Sequence, residues 1–363
     1  MTTRPADPRE LAHGTDHRAE GGRAPASSGK RQGTFAKTWW PWLKRALTLA
    51  FFAVVAAYSI RYARNVDWAE VWQTILATPR GVLFTALGAV AASFALYCSF
   101  DLLGRHYTGH RLPPFKVWQV NFISYAFNLN LGSLVGSVAF RYRLYGRLGL
   151  DVPTITRIMT LSILTNWLGY FILGGAVFAL APMELPPDWK IDSGGLRWLG
   201  LGLLAVAAAY LLACGFARER SLTIRGHELI LPPPKMAALQ VAMAVTNWAL
   251  MGFILYTLLQ GRAAYPTVLS VLLVGAVAGV ITHVPAGLGV LEAVFIALLS
   301  HRVPEGQLLA ALLTYRALYY IGPLLLAAAL YLFVEARAKR TRLAHGGGSM
   351  DPSPATRRPD RKE

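Results

Sequence analysis

Glu292 and Arg316 are the residues of this 363-residue chain whose types and setting point most directly to chemistry. Both lie in apolar surroundings, where an ionised side chain is costly and is commonly retained for function. The sequence does not show that the two touch; in contact they would form either a cavity-lining ion pair, opened when a phosphate or amine competes for one partner, or a purely structural tie. His283 precedes Pro285. Its imidazole either assists proton coupling or, the favoured reading, is hydrogen-bonded at a turn. Earlier in the chain Arg141, Arg143 and Arg147 follow a glycine-containing break. Guanidinium forks bind phosphate bidentately, so the set reads as a phosphate cradle, strengthened by Tyr142 and Tyr145. For any single arginine, ordinary anchoring at a membrane face is the favoured alternative. Asn128 and Asn130 either donate to a ligand or, as favoured, cap a broken helix with access to a cavity. Asp101 is expected to pair with an arginine of 105–147, and Asn166 and Asn247 to make interhelical hydrogen bonds.

Two stretches must position these groups. Asn121–Arg157 is apolar enough for a bilayer, yet it carries Asn121, Asn128 and Asn130, loses side chains at Gly132 and Gly136, and ends in arginines. The second, Gly279–Phe295, contains Pro285, Gly287, Gly289 and Glu292. Irregular backbone at membrane depth is tolerated only where it is buried in protein or lines a wet cavity. Gly132/Gly136 and Gly275/Gly279 also have the spacing of close helix packing.

The composition agrees with a membrane setting. The chain is 54% hydrophobic and only 15% charged, against about 25% charged in soluble proteins, with a mean hydropathy of +0.40. The net charge of +17 sits in the tails and in particular loops, which argues for the positive-inside rule and against nucleic acid. Cys98 and Cys214 fall in apolar runs without metal-ligand spacing. No P-loop, dinucleotide fingerprint, zinc spacing or nucleophile–base set is present. HVPAGLG has no preceding strand and no following Lys. No cofactor and no metal are expected, and the oligomeric state is not readable.

The expected fold is an all-α polytopic membrane protein. Residues 1–37 and 337–363 read as basic disordered tails around an integral membrane domain, 38–336. Trp39, Trp40 and Trp42 form an interfacial anchor. Six spans are expected near 43–60, 81–103, 155–181, 196–216, 236–260 and 306–335, the last tilting or kinking at Pro323. A short interfacial helix is expected within 61–80. If each broken stretch is a re-entrant hairpin that leaves by the side it entered, 28 of the 36 Lys and Arg fall on the side of the N-terminus, 7 on the other, and Arg316 within the last span. That side is then cytoplasmic, both termini lie there, and the acidic Glu184, Asp188 and Asp192 lie opposite. The halves 43–181 and 196–335 repeat at an offset near 150–155 residues. With an odd number of crossings each, the second copy would be inverted, a transporter architecture.

FNLNLGSLVGSVAFRYRLYGRLGL, LTNWLGYFILGG, HVPAGLGVLEAVF and TYRALYYIGPLLL resemble the lysylphosphatidylglycerol synthase transmembrane-region family over about residues 40–336. The P-x-G-x-G-x-x-E signature and the Y-R-x-x-Y-Y motif, Tyr315, Arg316, Tyr319 and Tyr320, carry the resemblance. In multi-domain relatives this region moves aminoacylated phosphatidylglycerol between leaflets and a separate soluble domain makes the lipid. Here the chain leaves no room for that domain, so a transporter rather than an enzyme is expected. The resemblance implies a bacterial inner-membrane flippase for an anionic phospholipid or modified phosphatidylglycerol, with membrane phospholipid as its partner. Its site would draw on Asn128, Asn130, Arg141, Arg143, His283, Glu292, Arg316, Tyr319 and Tyr320. The alternatives are an intramembrane enzyme on a lipid-linked substrate and a non-transporting partner of a lipid-synthesis enzyme.

Overall fold

The computed structural model describes residues 68–180, 193–216, 221–224, 227–282, 284 and 287–346, and every structural statement below concerns these. Helix α1 is Trp68–Ala77, α2 Arg80–Cys98, α3 Phe100–Thr108 and α4 Pro114–Leu131. A π-helical turn, Ser133–Ala139, leads into α5, Phe140–Arg147. Then come α6, Val152–Leu180, and α7, Ser193–Phe216. Strands β1, Ser221–Ile224, and β2, His227–Ile230, form an antiparallel ribbon. The chain continues with α8, Pro234–Leu258, α9, Tyr265–Thr282, α10, Val290–Leu299, and α11, Glu305–Tyr315. A second π-helical turn, Arg316–Ile321, joins α11 to α12, Gly322–Gly346. Apart from the ribbon the fold is all-α.

Prolines set several starts. Pro114 and Pro234 open α4 and α8, where a missing N–H costs nothing and the fixed φ suits the first turn. Asp151 precedes α6, and a hydrogen bond from Thr154 holds its carboxyl below the usual carboxylate range. The hydroxyl of Ser99, between α2 and α3, bonds back to the Ala95 carbonyl at 2.7 Å.

Among the described residues six helical stretches are long and apolar enough to cross a membrane: Arg80–Thr108, Val152–Leu180, Gly194–Phe216, Pro234–Leu258, Tyr265–Thr282 and Glu305–Arg337. Five match expected spans. The first expected span, 43–60, the Trp39–Trp42 anchor, the acidic loop and most of both tails lie outside the described residues. The sixth candidate, α9, leads into the second broken stretch. At 18 residues it is about 27 Å long, close to the roughly 30 Å hydrocarbon core.

Both broken stretches fold back on themselves as helical hairpins. In the first, α4 runs to Gly132, whose φ of 84° suits glycine, and the π-turn and α5 return beside it. A Cβ on Gly136 would overlap the Asn128 backbone. Phe127 stacks on Phe140 at 4.3 Å. In the second, α9 and α10 meet across Gly275, where a Cβ would come within 2.8 Å of Leu291, and Gly287 and Gly289 at the turn also have positive φ.

The order of elements recurs. Arg80–Thr108 and Pro234–Leu258, Pro114–Leu131 and Tyr265–Thr282, and Val152–Leu180 and Glu305–Arg337 begin 154, 151 and 153 residues apart. A core of Phe94, Tyr97, Tyr125, Tyr170, Trp248, Phe295, Tyr315 and Tyr319 lies among the long helices. Helix α1 covers α11 with Val71 and Ile75. Its opposite face, Trp68, Trp72 and Leu76, is exposed, the two-faced pattern of an interfacial helix.

Candidate functional site

The π-turn Arg316–Ile321 is where the two hairpins come together. Such turns commonly mark functional positions, and this one precedes Pro323, which lacks the N–H that would continue a regular ladder. The expected kink at Pro323 thus takes the form of a widened turn. Near the tip of the first hairpin, the Asn130 amide donates to the Tyr320 carbonyl at 3.2 Å and to Ala126 at 2.8 Å. From the same turn Arg316 donates to the Gly287 carbonyl at the second tip, 2.9 Å away.

Arg316 and Glu292 are in contact. The guanidinium grips the carboxylate with two donors, Nη2 at 2.9 Å from Oε2 and Nε on Oε1. Tyr320 lies against it, its ring centroid 5.4 Å from the guanidinium carbon. The pair is not sealed: the side chains keep 9% and 13% of their accessibility. Beside it, Ile321 and Leu288 are exposed. An anion entering here would compete with Glu292, and a cation with Arg316.

Behind this pair runs a buried hydroxyl chain. Ser93 Oγ lies 2.8 Å from Asn247 Oδ1 and 2.9 Å from Tyr319 Oη, and Tyr319 lies 3.0 Å from Tyr125 Oη. The amide oxygen only accepts, so Ser93 spends its proton there. Tyr319 therefore donates to Ser93, and Tyr125 to Tyr319. The chain joins α4, the second π-turn, α2 and α8. Sequence reading named Tyr319 only as a candidate ligand-binding residue and anticipated bonding by Asn247; Ser93 and Tyr125 were missed, being one small hydroxyl and one of 15 tyrosines.

The first hairpin has its own charged tie. Arg141, only 1% exposed, pairs bidentately with Asp101, both contacts 3.1 Å. It also donates to Asn121 Oδ1 at 2.6 Å, Ser162 at 3.3 Å and Ser137. Tyr145 donates to Asp101 at 2.9 Å. Asp101 thus meets an arginine of the expected range. The expected phosphate cradle divides: Arg141 has its donors committed inside the protein, whereas Arg143 and Arg147 reach Glu335 on α12. The burial of one arginine and exposure of its neighbour two positions on follows from α5 lying with one face on α4 and α6.

The recurrence reaches these ties. Glu292 and Arg316 stand 155 and 154 positions after Ser137 and Ser162, the two hydroxyls that hold Arg141. In each half a guanidinium tie joins the returning arm of a hairpin to the long helix after it. Asn128 has its Oδ1 buried without a hydrogen-bond partner, as do Tyr315 Oη and Ser124 Oγ. His283 and Pro285 lie outside the described residues. Among the described residues no three His, Cys, Asp or Glu side chains come together as a metal site.

A family model described as "Lysylphosphatidylglycerol synthase TM region" matches residues 45–327. The chain belongs to this family. It is 50% identical over 304 residues to inner membrane protein YbhN of Escherichia coli, covering 84% of this chain and 96% of that one. An uncharacterized protein of Synechocystis is 32% identical over 260 residues, covering 70% and 80%. A phosphatidylglycerol lysyltransferase of Staphylococcus haemolyticus is 32% identical over 91 residues, which is 24% of this chain and 11% of the enzyme. With its apolar helices, this family member is an integral membrane protein, and a lipid-related membrane role agrees with the relatives.

Proposed function

We propose that the protein is a lipid translocase of the bacterial inner membrane that moves an anionic phospholipid, phosphatidylglycerol or a modified form of it, between leaflets. The observation that carries the reading is the convergence of both hairpin tips on the turn that bears Arg316, with an incompletely sealed ion pair beside exposed apolar side chains. A headgroup phosphate would replace Glu292 on the Arg316 fork while the acyl chains stayed over Ile321 and Leu288. Tyr319, Tyr320 and Asn130 would position the turn. Asn128 would offer its buried amide oxygen, and His283 is retained as a candidate on its sequence alone. The family and the 91-residue match to a lysyltransferase favour phosphatidylglycerol chemistry.

In this reading both hairpins are re-entrant, both termini are cytoplasmic, and the second half of the chain is inverted relative to the first. Rocking one half against the other would expose the site to each leaflet in turn. The charge split of 28 against 7 supports that orientation. Reconstituted leaflet exchange with short-chain fluorescent lipids across headgroups tests the function. Faster exchange of phosphatidylglycerol than of phosphatidylcholine supports it. No exchange of any lipid would leave an intramembrane enzyme or a non-transporting partner of a lipid-synthesis enzyme in its place.

A further inference from the structure

We infer that Arg143, Arg147 and Tyr331, at the seam between α5 and α12, form a second anion site whose ligand is the phosphate of a membrane lipid headgroup and whose internal occupant is the Glu335 carboxylate. Arg143 and Arg147 lie one turn apart on α5, so their side chains share a face. Both converge on one carboxylate: Arg143 Nη2 is 3.3 Å and Arg147 Nη2 2.9 Å from Oε1, and Arg147 Nη1 takes Oε2. Donors gathered on a single carboxylate are already arranged for a phosphate, which accepts from the same fork.

Access and energetics separate this cluster from the other two arginine ties. The side chains keep 51% (Arg143), 33% (Arg147) and 38% (Glu335) of their accessibility. An ion pair this exposed contributes little to stability, so an incoming anion displaces Glu335 at little cost. The apolar run of α12 ends at Phe333 and Val334, and Glu335 is followed by Arg337, Lys339 and Arg340. The cluster therefore stands at the end of the bundle, at the level where headgroups begin, which favours a lipid over a free phosphate. Tyr331 faces the Arg143 guanidinium carbon, 5.6 Å from its ring centroid, and supplies an interfacial aromatic.

The site also has a line to the first hairpin. Tyr331 meets Phe140 edge-on at 5.3 Å, and Phe140 stacks on Phe127. Exchanging Glu335 for a phosphate keeps the arginines neutralised but removes a tie between the returning arm and the last helix. The arm is then held to α12 through ring contacts. This inference stands whether or not a lipid crosses the membrane.

The test is a binding titration of the detergent-solubilised full-length protein with short-chain phosphatidylglycerol, phosphatidylcholine and inorganic phosphate. Glu335→Gln should tighten phosphatidylglycerol binding several-fold. Glu305→Gln, the same charge change at an exposed position on α11, should leave it unchanged. Adding Arg143→Gln and Arg147→Gln to Glu335→Gln should cancel the gain. Equal effects of Glu335→Gln and Glu305→Gln would overturn the site. Displacement of phosphatidylglycerol by an equal concentration of inorganic phosphate would overturn the assignment to a lipid.

Discussion

Ser93 donates to Asn247 across 2.8 Å, and the two positions are 154 residues apart, the offset at which the element order of the chain recurs. The bond also fixes the direction of the hydroxyl chain that ends at Tyr125. Tyr319→Phe should therefore strand the Tyr125 proton and one Ser93 lone pair, and lower stability by about 1–3 kcal/mol. Tyr125→Phe, at the end of the chain, should cost less, and the double variant little more than Tyr319→Phe alone. Thermal unfolding in detergent reads all three. Additive losses would mean that the hydroxyls are not linked.

Arg141 and Asp101 are sealed, so breaking the pair leaves a buried charge. Asp101→Ala and Arg141→Ala should each destabilise by about 3–5 kcal/mol. Asp101→Leu/Arg141→Met should recover much of the loss, because apolar replacement of a buried pair is often neutral or stabilising. A double variant as unstable as the sum of the singles would contradict the pairing.

At the first tip, Gly136→Ala should collapse the hairpin packing, because the added Cβ meets Asn128 backbone, which cannot give way as a side chain can. Gly202→Ala, with open space around it, is the control and should leave folding yield unchanged. Equal yields for both would mean that the arms are not packed this closely.

Much of this architecture is legible in the sequence, for physical reasons that also explain what is not. Apolar length and flanking prolines announce α6, α7 and α8 to within about three residues, and Gly132 and Gly287 announce the breaks because few other residues take a positive φ. Glu292 and Arg316 each stand out because an isolated charge in an apolar setting is costly, but that they meet across 24 positions is shown only by the fold. By contrast, Arg141 and Arg143 look alike in a list of basic residues, and only the face of α5 on which each falls sends one into the protein and the other to Glu335. Glu335 itself reads only as the last residue of the expected span 306–335, and nothing in the sequence names its partner. The π-turn at 316–321 is invisible because its residues are ordinary helix formers.

Orientation has a direct reading. Arg143→Cys and Arg111→Cys, both exposed, should label from the same face of the membrane, the cytoplasmic one, if α4 and α5 form a re-entrant hairpin. Labelling of Arg143→Cys from the opposite face would mean that the stretch crosses, and would reverse the charge argument for the first half.

The account rests most heavily on the Glu292–Arg316 pair as the place where a headgroup exchanges partners. The decisive measurement is reconstituted leaflet exchange of a phosphatidylglycerol analogue by Glu292→Ala, Arg316→Ala and the double variant, each first shown to be folded. Both single variants should lose exchange altogether, and the double variant should be no worse than either. Undiminished exchange by a folded Arg316→Ala variant would contradict the account.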